Sequence, residues 1–434
     1  MRKKKVAVIG AGAAGLMTAC AAAQAGAQAV VLERNEKAGK KIYITGKGRC
    51  NLTNACEPEE FLRHVVSNPR FLYSALYGFD QYAMMDFLSQ NGCPVKTERG
   101  ARVFPVSDHA SDVTKALTEC LKRNGGSIRY HSRVREILTS QADDGMQKAV
   151  GVKLESGEEI AADAVVLCTG GLSYPSTGST GDGYSMAKAL GLPVKAQEPS
   201  LVPLVCEEEW CRRLQGLALK NVQVRLYAPQ EEQTGQKTKK ASKRPLYEGF
   251  GELLFTHFGL SGPLILTASC KCSWEGKNRD RAYRLFIDLK PAIPLKELED
   301  RIAKEFAAAG RKHFPAALRP LFPARLAQEV SLMAGLGEDR TAASVSGNEI
   351  RSLAALIKEI PVTITGTRGF QEAVVTRGGI DVKSFDPHTM ECRLIHGLYA
   401  AGEVLDLDAH TGGFNLQIAW STGHLAGVSC SGER

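Results

Sequence analysis

Residues 5–34, KVAVIGAGAAGLMTACAAAQAGAQAVVLER, constrain this chain more than any other stretch. Val6 to Ile9 reads as a short apolar strand, the alanine-rich run from Ala13 to Gln24 as a helix closed by Gly26, and Ala29 to Leu32 as a second strand. Between the first strand and the helix stands Gly10-Ala11-Gly12-Ala13-Ala14-Gly15. In such a turn the first glycine permits a tight bend, the second lets backbone approach a pyrophosphate, and the third lets the helix pack on the strand. The helix N-terminus then turns its partial positive charge toward the phosphates. Glu33 follows the second strand, 18 residues after Gly15, where a carboxylate can accept hydrogen bonds from ribose hydroxyls. A lone G-x-G-x-x-G is a weak signal. Flanked by strand, helix, strand and acid, it specifies a dinucleotide site.

A chain of 434 residues with 44% apolar side chains can bury the cores of two or three domains. The opening MRKKK is followed by an apolar stretch broken by glycines, without an A-x-A-like cleavage site, and no run of 18 apolar residues occurs. Neither a signal peptide nor a spanning helix is expected, so the expected location is cytoplasmic, with no membrane partner. The twelve cysteines lack the C-x-x-C spacing of a zinc site. Cys270 and Cys272 would share one face of a strand without a His or Cys partner nearby, and no metal site is expected. The formal net charge of +8 is modest, yet KTKKASKR (237–244) gathers five cations in eight residues. That run reads either as a solvated loop or as a contact for an anionic partner such as RNA.

Residues 58–92 and 108–124 have a helical pattern, while Ser127 to Leu138 and Val150 to Ile160 read as strands. ADAVVLCTGG (162–171) is an apolar strand ending in Thr169-Gly170-Gly171, whose glycines suit backbone lying against a ligand. From about Pro193 to Leu289 short alternating strands such as NVQVRLYA (221–228) and YRLFIDL (283–289) take over. Residues 294–358 then show helical periods broken at Pro315, Pro320 and Pro323, and 397–427 supply a strand, a glycine-rich turn and a helix. The pattern predicts an α/β fold. A Rossmann-like domain is split between 1–192 and 362–434, around an inserted β-barrel-like domain over 193–292 and a small helical subdomain over 293–361. The insertion reads as a lid or substrate module.

The motifs VIGAGAAG (8–15), GKGRCNLTN (46–54), LCTGGLSYPSTGSTGDGY (167–184), LLFTHFGLSGP (253–263), VTRGGI (375–380) and LYAAGEVLDLDAHTGGFNLQIAWSTG (398–423) span nearly the whole chain. With them the sequence resembles the two-dinucleotide-binding-domain flavoproteins and, within these, the BaiN/RdsA family, also called YhiN-like. GRCNLTN and HTGGFNLQ are specific to that family. The resemblance implies FAD, held by the split Rossmann-like domain. Gly10, Gly12, Ala13, Ala14 and Gly15 would cradle the diphosphate and Glu33 would hold the ribose, with Arg34, Val134, Thr169, Gly170 and Gly171 also along the cofactor. Gly402 and Glu403 take the place usually filled by Gly-Asp. Gly412 to Gln417, with Gly413, Phe414, Asn415, Leu416 and Gln417 among the contacts, would turn helix N-terminal amides toward the flavin N1 and C2 oxygen, where negative charge develops on reduction. Gly46, Gly48, Arg49, Cys50 and Asn51 would wrap the flavin, with Lys40, Lys41, Lys47 and Arg49 neutralising phosphate or the reduced ring. Cys50 is either a packing residue or a proton donor or redox thiol whose pKa neighbouring cations would lower. His257 and His410 are either structural or the general acid that a hydride addition requires.

No second G-x-G-x-x-G follows a strand, and no C-x-x-C is present. This argues against a dedicated nicotinamide domain and a disulfide-reductase plan; NAD(P)H would serve as a transient electron donor in the substrate cleft. The resemblance offers reduction of a uridine C5=C6 bond in 23S ribosomal RNA, reduction of a steroid- or bile-acid-like enone, or oxidation of a small amine. The first two share a chemistry, hydride from flavin N5 to an activated carbon and a proton to its neighbour. The basic run favours ribosomal RNA as partner over a small-molecule substrate, since a sterol site wants an aromatic-lined pocket and the insertion is not conspicuously aromatic. A flavin-binding protein without turnover is the alternative of a different class.

Overall fold

The computed structural model describes residues 2–229, 244–274, 281–337 and 339–432. Of the basic run only Arg244 is among them; Lys237, Lys239, Lys240 and Lys243 lie outside the described residues. The chain forms two compact units, Met1–Ser200 with Gly369–Arg434, and Leu201–Arg368.

In the first unit a five-stranded parallel sheet runs in the order Leu398–Ala400, Ala164–Leu167, Lys5–Ile9, Gln28–Leu32, Ser127–Arg129. Val6, Ala7 and Val8 of its central strand are fully buried, as a parallel sheet covered on both faces requires. The helix Ala13–Gln24 is buried from Ala14 through Ala23, because the last helix, Phe414–Ser431, packs along it without large side chains between them. A Cβ on Gly423 would lie 2.6 Å from the Ala14 carbonyl oxygen, and one on Gly427 would lie 2.7 Å from Ala21 Cβ. The alanines thus serve close packing as well as helix propensity.

Three expected elements divide. The strand expected over Val150 to Ile160 is Gln147–Leu154 and Glu159–Ala161, an antiparallel pair. The strand expected over Ser127 to Leu138 is Ser127–Arg129 in the parallel sheet and Val134–Gln141 in an antiparallel one, since His131 at φ +53° turns the chain between them. The helical stretch over 58–92 is Pro58–Arg63, Pro69–Leu72, Tyr73–Gly78 and Gln81–Gln90. It breaks at Asn68-Pro69, where Asn68 has φ +52° and proline disfavours helix in the residue before it. A small antiparallel sheet of Thr53–Asn54, Arg102–Pro105 and Val95–Glu98, and the pair Val194–Ser200 with Val375–Ile380, complete what bears on the site.

The second unit is a closed six-stranded barrel, in the order Leu204–Cys206, Gly259–Ser261, Tyr247–Thr256, Ala218–Tyr227, Tyr283–Asp288, Ile360–Thr367. Its helices Leu295–Ala309, Phe314–Ala317, Ala324–Met333 and Gly347–Lys358 lie in the chain between the last two barrel strands. Barrel and helices share one core, with Leu298, Ile302, Phe306 and Ile357 buried alongside Leu285 and Val362. The expected boundary at 361/362 therefore falls inside a barrel strand, and residues 293–361 are not set apart from the barrel. Cys270 ends the helix Pro263–Ser269, so the C-x-C pair does not lie on a strand. Among the described residues no helix is long and apolar enough to cross a membrane.

Candidate functional site

At the C-terminal end of the central strand the three glycines of the turn stand in different surroundings. Gly10 has φ +101°, and a Cβ there would lie 2.7 Å from the Cys168 carbonyl oxygen. At Gly15 a Cβ would collide with the Gly10 carbonyl, whereas at Gly12 it would meet nothing within 4 Å. The turn is closed on both flanks and open at Gly12, where the first amides of the helix have no intrahelical partner. Beside it the Thr169 hydroxyl is buried without a hydrogen-bond partner among the described residues, and Gly170 has φ +70°. Gly402 closes the far side; its Cβ would lie 2.7 Å from Ala14 Cβ.

Glu33 is 6% exposed and grips this turn from below. Its Oε2 accepts from the Ala11 N–H at 2.7 Å, and its Oε1 accepts from the Asn35 backbone N–H at 2.8 Å and from Asn35 Nδ2 at 2.7 Å. The Ser132 N–H donates to the Glu33 carbonyl at 2.8 Å, which brings the start of the strand at buried Val134 alongside. Arg34 is engaged elsewhere, with Asp182 at 3.2 Å. Lys40 pairs with Glu36 on the surface.

Lys41 and Glu403, 362 residues apart, form a half-buried ion pair at 2.7 Å. Lys41 Nζ also donates to Ser173 Oγ at 2.7 Å, while Glu403 Oε1 accepts from Ser173 Oγ at 2.8 Å and from the Thr376 N–H at 2.9 Å. A Cβ on Gly171 would lie 2.8 Å from Glu403 Oε1. The helix Lys40–Ile44 that carries Lys41, the TGGLS loop, VTRGG and AGE thus meet at one polar cluster, and Ser173 and Thr376 were not among the residues expected there.

The GRCNLTN segment lies under the N-terminus of the last helix. Gly413, at φ +100°, could not carry a side chain against Thr53, and Asn54 Nδ2 donates to the Gly412 carbonyl at 3.2 Å. With its amide turned to suit its neighbours, Asn51 donates to the Thr53 carbonyl at 3.1 Å and accepts from the Gly413 N–H at 3.2 Å. Asn415 staples the preceding turn by accepting from the Ala409 N–H at 2.9 Å and donating to the Ala409 and His410 carbonyls. Phe414 and Gln417 are buried, and Gln417 Nε2 donates to the Phe79 carbonyl at 3.2 Å. Gly46 and Gly48 take φ +57° and +89°, which makes the tight loop before Arg49.

Residues 4–429 match the family described as HI0933-like protein Rossmann domain. The chain belongs to the HI0933-like family. Similar proteins include a ribosomal RNA dihydrouridine synthase from Haemophilus influenzae, 29% identical over 427 residues and covering 98% of each chain. A 3-dehydro-bile acid delta(4,6)-reductase from Clostridium scindens is 30% identical over 429 residues, again 98% of each chain. A ribosomal RNA dihydrouridine synthase from Escherichia coli is 30% identical over 417 residues, 96% of this chain and 95% of the relative. Among solved structures, 3-ketosteroid-delta4-(5alpha)-dehydrogenase from Rhodococcus jostii RHA1 is similar with TM-score 0.51 and 18% identity, covering 99% of this chain and 97% of that one. At that identity the likeness shows the fold alone.

This HI0933-like chain is an FAD-dependent oxidoreductase. The family implies FAD, and the residues present fit it: the open side of Gly12, the unsatisfied Thr169 hydroxyl and the carboxylate at the end of the second strand are what a dinucleotide needs there.

The remaining expected residues fall in different surroundings. Arg49 turns to Glu98 and Asp108, the latter at 2.6 Å, and lies 4.1 Å over the Phe104 ring. Cys50, at φ +60°, is fully buried, and burial pushes its thiol up to about 12, against the lowering expected from neighbouring cations. His257 is exposed in the barrel turn between Tyr247–Thr256 and Gly259–Ser261. His410 sits half-buried with its Nδ1 3.2 Å from His64 Nδ1, and its N–H donates to the His64 carbonyl at 2.9 Å. His64 in turn stacks on Phe414 at 4.4 Å and has Nε2 3.3 Å from Glu60. Below them Asp408 is fully buried, accepting from Ser67 Oγ at 2.6 Å, and burial raises its carboxyl above the ordinary range. The segment HVVSN that carries His64 and Ser67 gave no sequence signal, because its docking on 406–410 is a pairing across more than 300 residues.

Proposed function

We propose that this enzyme uses NAD(P)H as a transient donor to reduce an activated ring C=C bond, with a uridine of ribosomal RNA as the acceptor. The observation that carries the reading is the identity of 29–30% over nearly the full chain to proteins whose named activities each add hydrogen across a ring double bond. RNA is favoured because two of these relatives are ribosomal RNA enzymes and the chain carries a formal charge of +8 with five cations in 237–244. An acceptor of that kind implies work in the cytoplasm. The bile-acid relative at 30% identity supports a small enone as the second reading.

Bound FAD would supply the hydride. The chain's own residues have the other tasks. Gly10, Gly12 and Gly15 would hold the diphosphate, and Glu33, which holds the turn, would also hold the ribose. Lys41 and Glu403 fix the junction between the helix Lys40–Ile44 and the AGE turn, and the first amides of the last helix, beyond Gly413, would stabilise negative charge on the reduced ring. His410 holds the proton that the second carbon of the double bond takes, and His64, tied to Glu60, fixes the tautomer of His410. Cys50, sealed and protonated, packs beneath the loop.

The test is anaerobic. Holoenzyme reduced with NADPH is mixed with unmodified 23S ribosomal RNA or with a steroid 4-en-3-one, and flavin reoxidation is followed at its visible absorbance. RNA-driven reoxidation with formation of dihydrouridine supports the reading; reoxidation by the enone alone replaces it with the second.

A further inference from the structure

Beside the loop that opens the last helix lies a cationic rim that the proposed hydride and proton transfers do not use. Its frame is the hairpin of Val95–Glu98 and Arg102–Pro105. The hairpin turn, with Gly100 at φ +77° and Ala101 at φ +56°, holds exposed Arg99 and Arg102. Asn54 ties this turn to the helix: its Nδ2 donates to the Gly100 carbonyl at 3.1 Å and to the Gly412 carbonyl at 3.2 Å, and the Ala55 N–H donates to the Ala101 carbonyl at 2.7 Å. The buried Phe104 ring gathers the charge, with the Arg49 guanidinium at 4.1 Å and that of Arg102 at 5.9 Å. A Cβ on Gly46 would lie 3.4 Å from the same ring, which brings exposed Lys47 to this edge.

The acids of the cluster are already matched. Asp108 is 2.8 Å from Lys96 and 2.6 Å from Arg49, and Glu98 pairs with Arg49. Among the described residues no carboxylate pairs with Lys47, Arg99 or Arg102, so three cations on two adjoining loops remain for a ligand. Spaced exposed cations suit a polyanion, and arginine's fork suits phosphate oxygens. A neutral ring system gains nothing from them.

We propose that this rim binds the phosphate backbone of an RNA substrate next to the base being reduced. The inference rests on RNA as acceptor, and the experiment separates the two. A fluorescein-labelled, unmodified 23S ribosomal RNA transcript is titrated with the FAD-loaded enzyme across a salt series, comparing wild type, Arg99→Ser/Arg102→Ser and Arg99→Lys/Arg102→Lys. Each phosphate that the protein no longer neutralises reduces the slope of log K against log salt by about 0.7–0.9. The Ser variant is expected to bind about tenfold more weakly at physiological salt, with a slope smaller by about 1.4–1.8. The Lys variant is expected to keep the slope, and FAD content and NADPH oxidation are expected to be unchanged in both. Equal affinity and slope in wild type and Ser variant overturn the proposal, as does a wild type that does not bind the transcript. Binding through the rim without reoxidation of the reduced flavin leaves the rim standing and refutes the RNA reaction.

Discussion

Replacing Gly12 with alanine separates what the cofactor needs from what the fold needs. Gly12 caps the helix with φ −82° and ψ −168°, ordinary values for alanine, and its Cβ would meet no atom within 4 Å. An alanine N-cap is poorer than glycine by up to about 1 kcal/mol, and the stiffer unfolded chain returns about 0.4–1 kcal/mol. The two nearly cancel, so the deflavinated protein should melt within about 2 °C of wild type. The added methyl instead occupies the space where the diphosphate must approach. At the usual cost of forcing a methyl into filled space, about 1–3 kcal/mol, FAD affinity should fall about 5- to 150-fold. Gly15→Ala is the contrast, since its Cβ would lie 1.9 Å from the Gly10 oxygen and 3.2 Å from Cys168 Cβ. The helix must shift to admit it, so stability and FAD affinity should fall together. Scanning calorimetry of the deflavinated proteins and titration of FAD fluorescence read both quantities. Wild-type FAD affinity in Gly12→Ala would refute the assignment of that open space to the diphosphate.

Three further outcomes follow from the site and its surroundings. Cys50→Ala should keep product formation within about threefold of wild type, because the thiol at about 12 is sealed from substrate, whereas His410→Ala should slow it about 100-fold or more with flavin reduction intact; the reverse order would return Cys50 to the role of acid. Lys41→Met leaves the Glu403 carboxylate without its cation and should weaken FAD binding, while Lys41→Arg should restore most of it; unchanged binding in the Met variant would show the pair to be dispensable for the cofactor. In the barrel unit the Arg340 guanidinium, with the Ser346 N–H and hydroxyl, holds the Glu349 carboxyl down at about 2 from 4.5. A depressed carboxyl contributes stability above about 4.5 that is lost as pH falls toward about 2, so Glu349→Gln should flatten acid unfolding in that window and leave stability at neutral pH without a new slope.

What the sequence made legible was local. The strand, glycine turn and helix of residues 5–34, and the acid at Glu33, are set by contacts within thirty residues and stand where their spacing predicts. The alternation in NVQVRLYA and YRLFIDL announced antiparallel strands. A β-barrel-like insertion was expected and is found, but its closing strand Ile360–Thr367, which pairs with Leu204–Cys206 across the whole insertion, lay outside the expected bounds of 193–292. Short elements with distant partners left the least trace. Thr53–Asn54 is a two-residue strand that pairs with Val103 and Arg102, and that pairing carries the basic hairpin to the helix N-terminus. The polarity of Cys50 was misread for a related reason. Arg49, beside it in sequence, faces away in space toward Glu98 and Asp108, and burial dominates at the thiol.

Ribosomal RNA as the acceptor is the central claim, and complementation tests it most directly. An Escherichia coli strain deprived of its own ribosomal RNA dihydrouridine synthase is given this chain, and nucleosides from its 23S ribosomal RNA are counted by mass spectrometry. Return of dihydrouridine, reduced by Gly12→Ala and by His410→Ala, is the predicted result. An FAD-loaded, NADPH-reducible protein that restores no dihydrouridine would contradict the central claim.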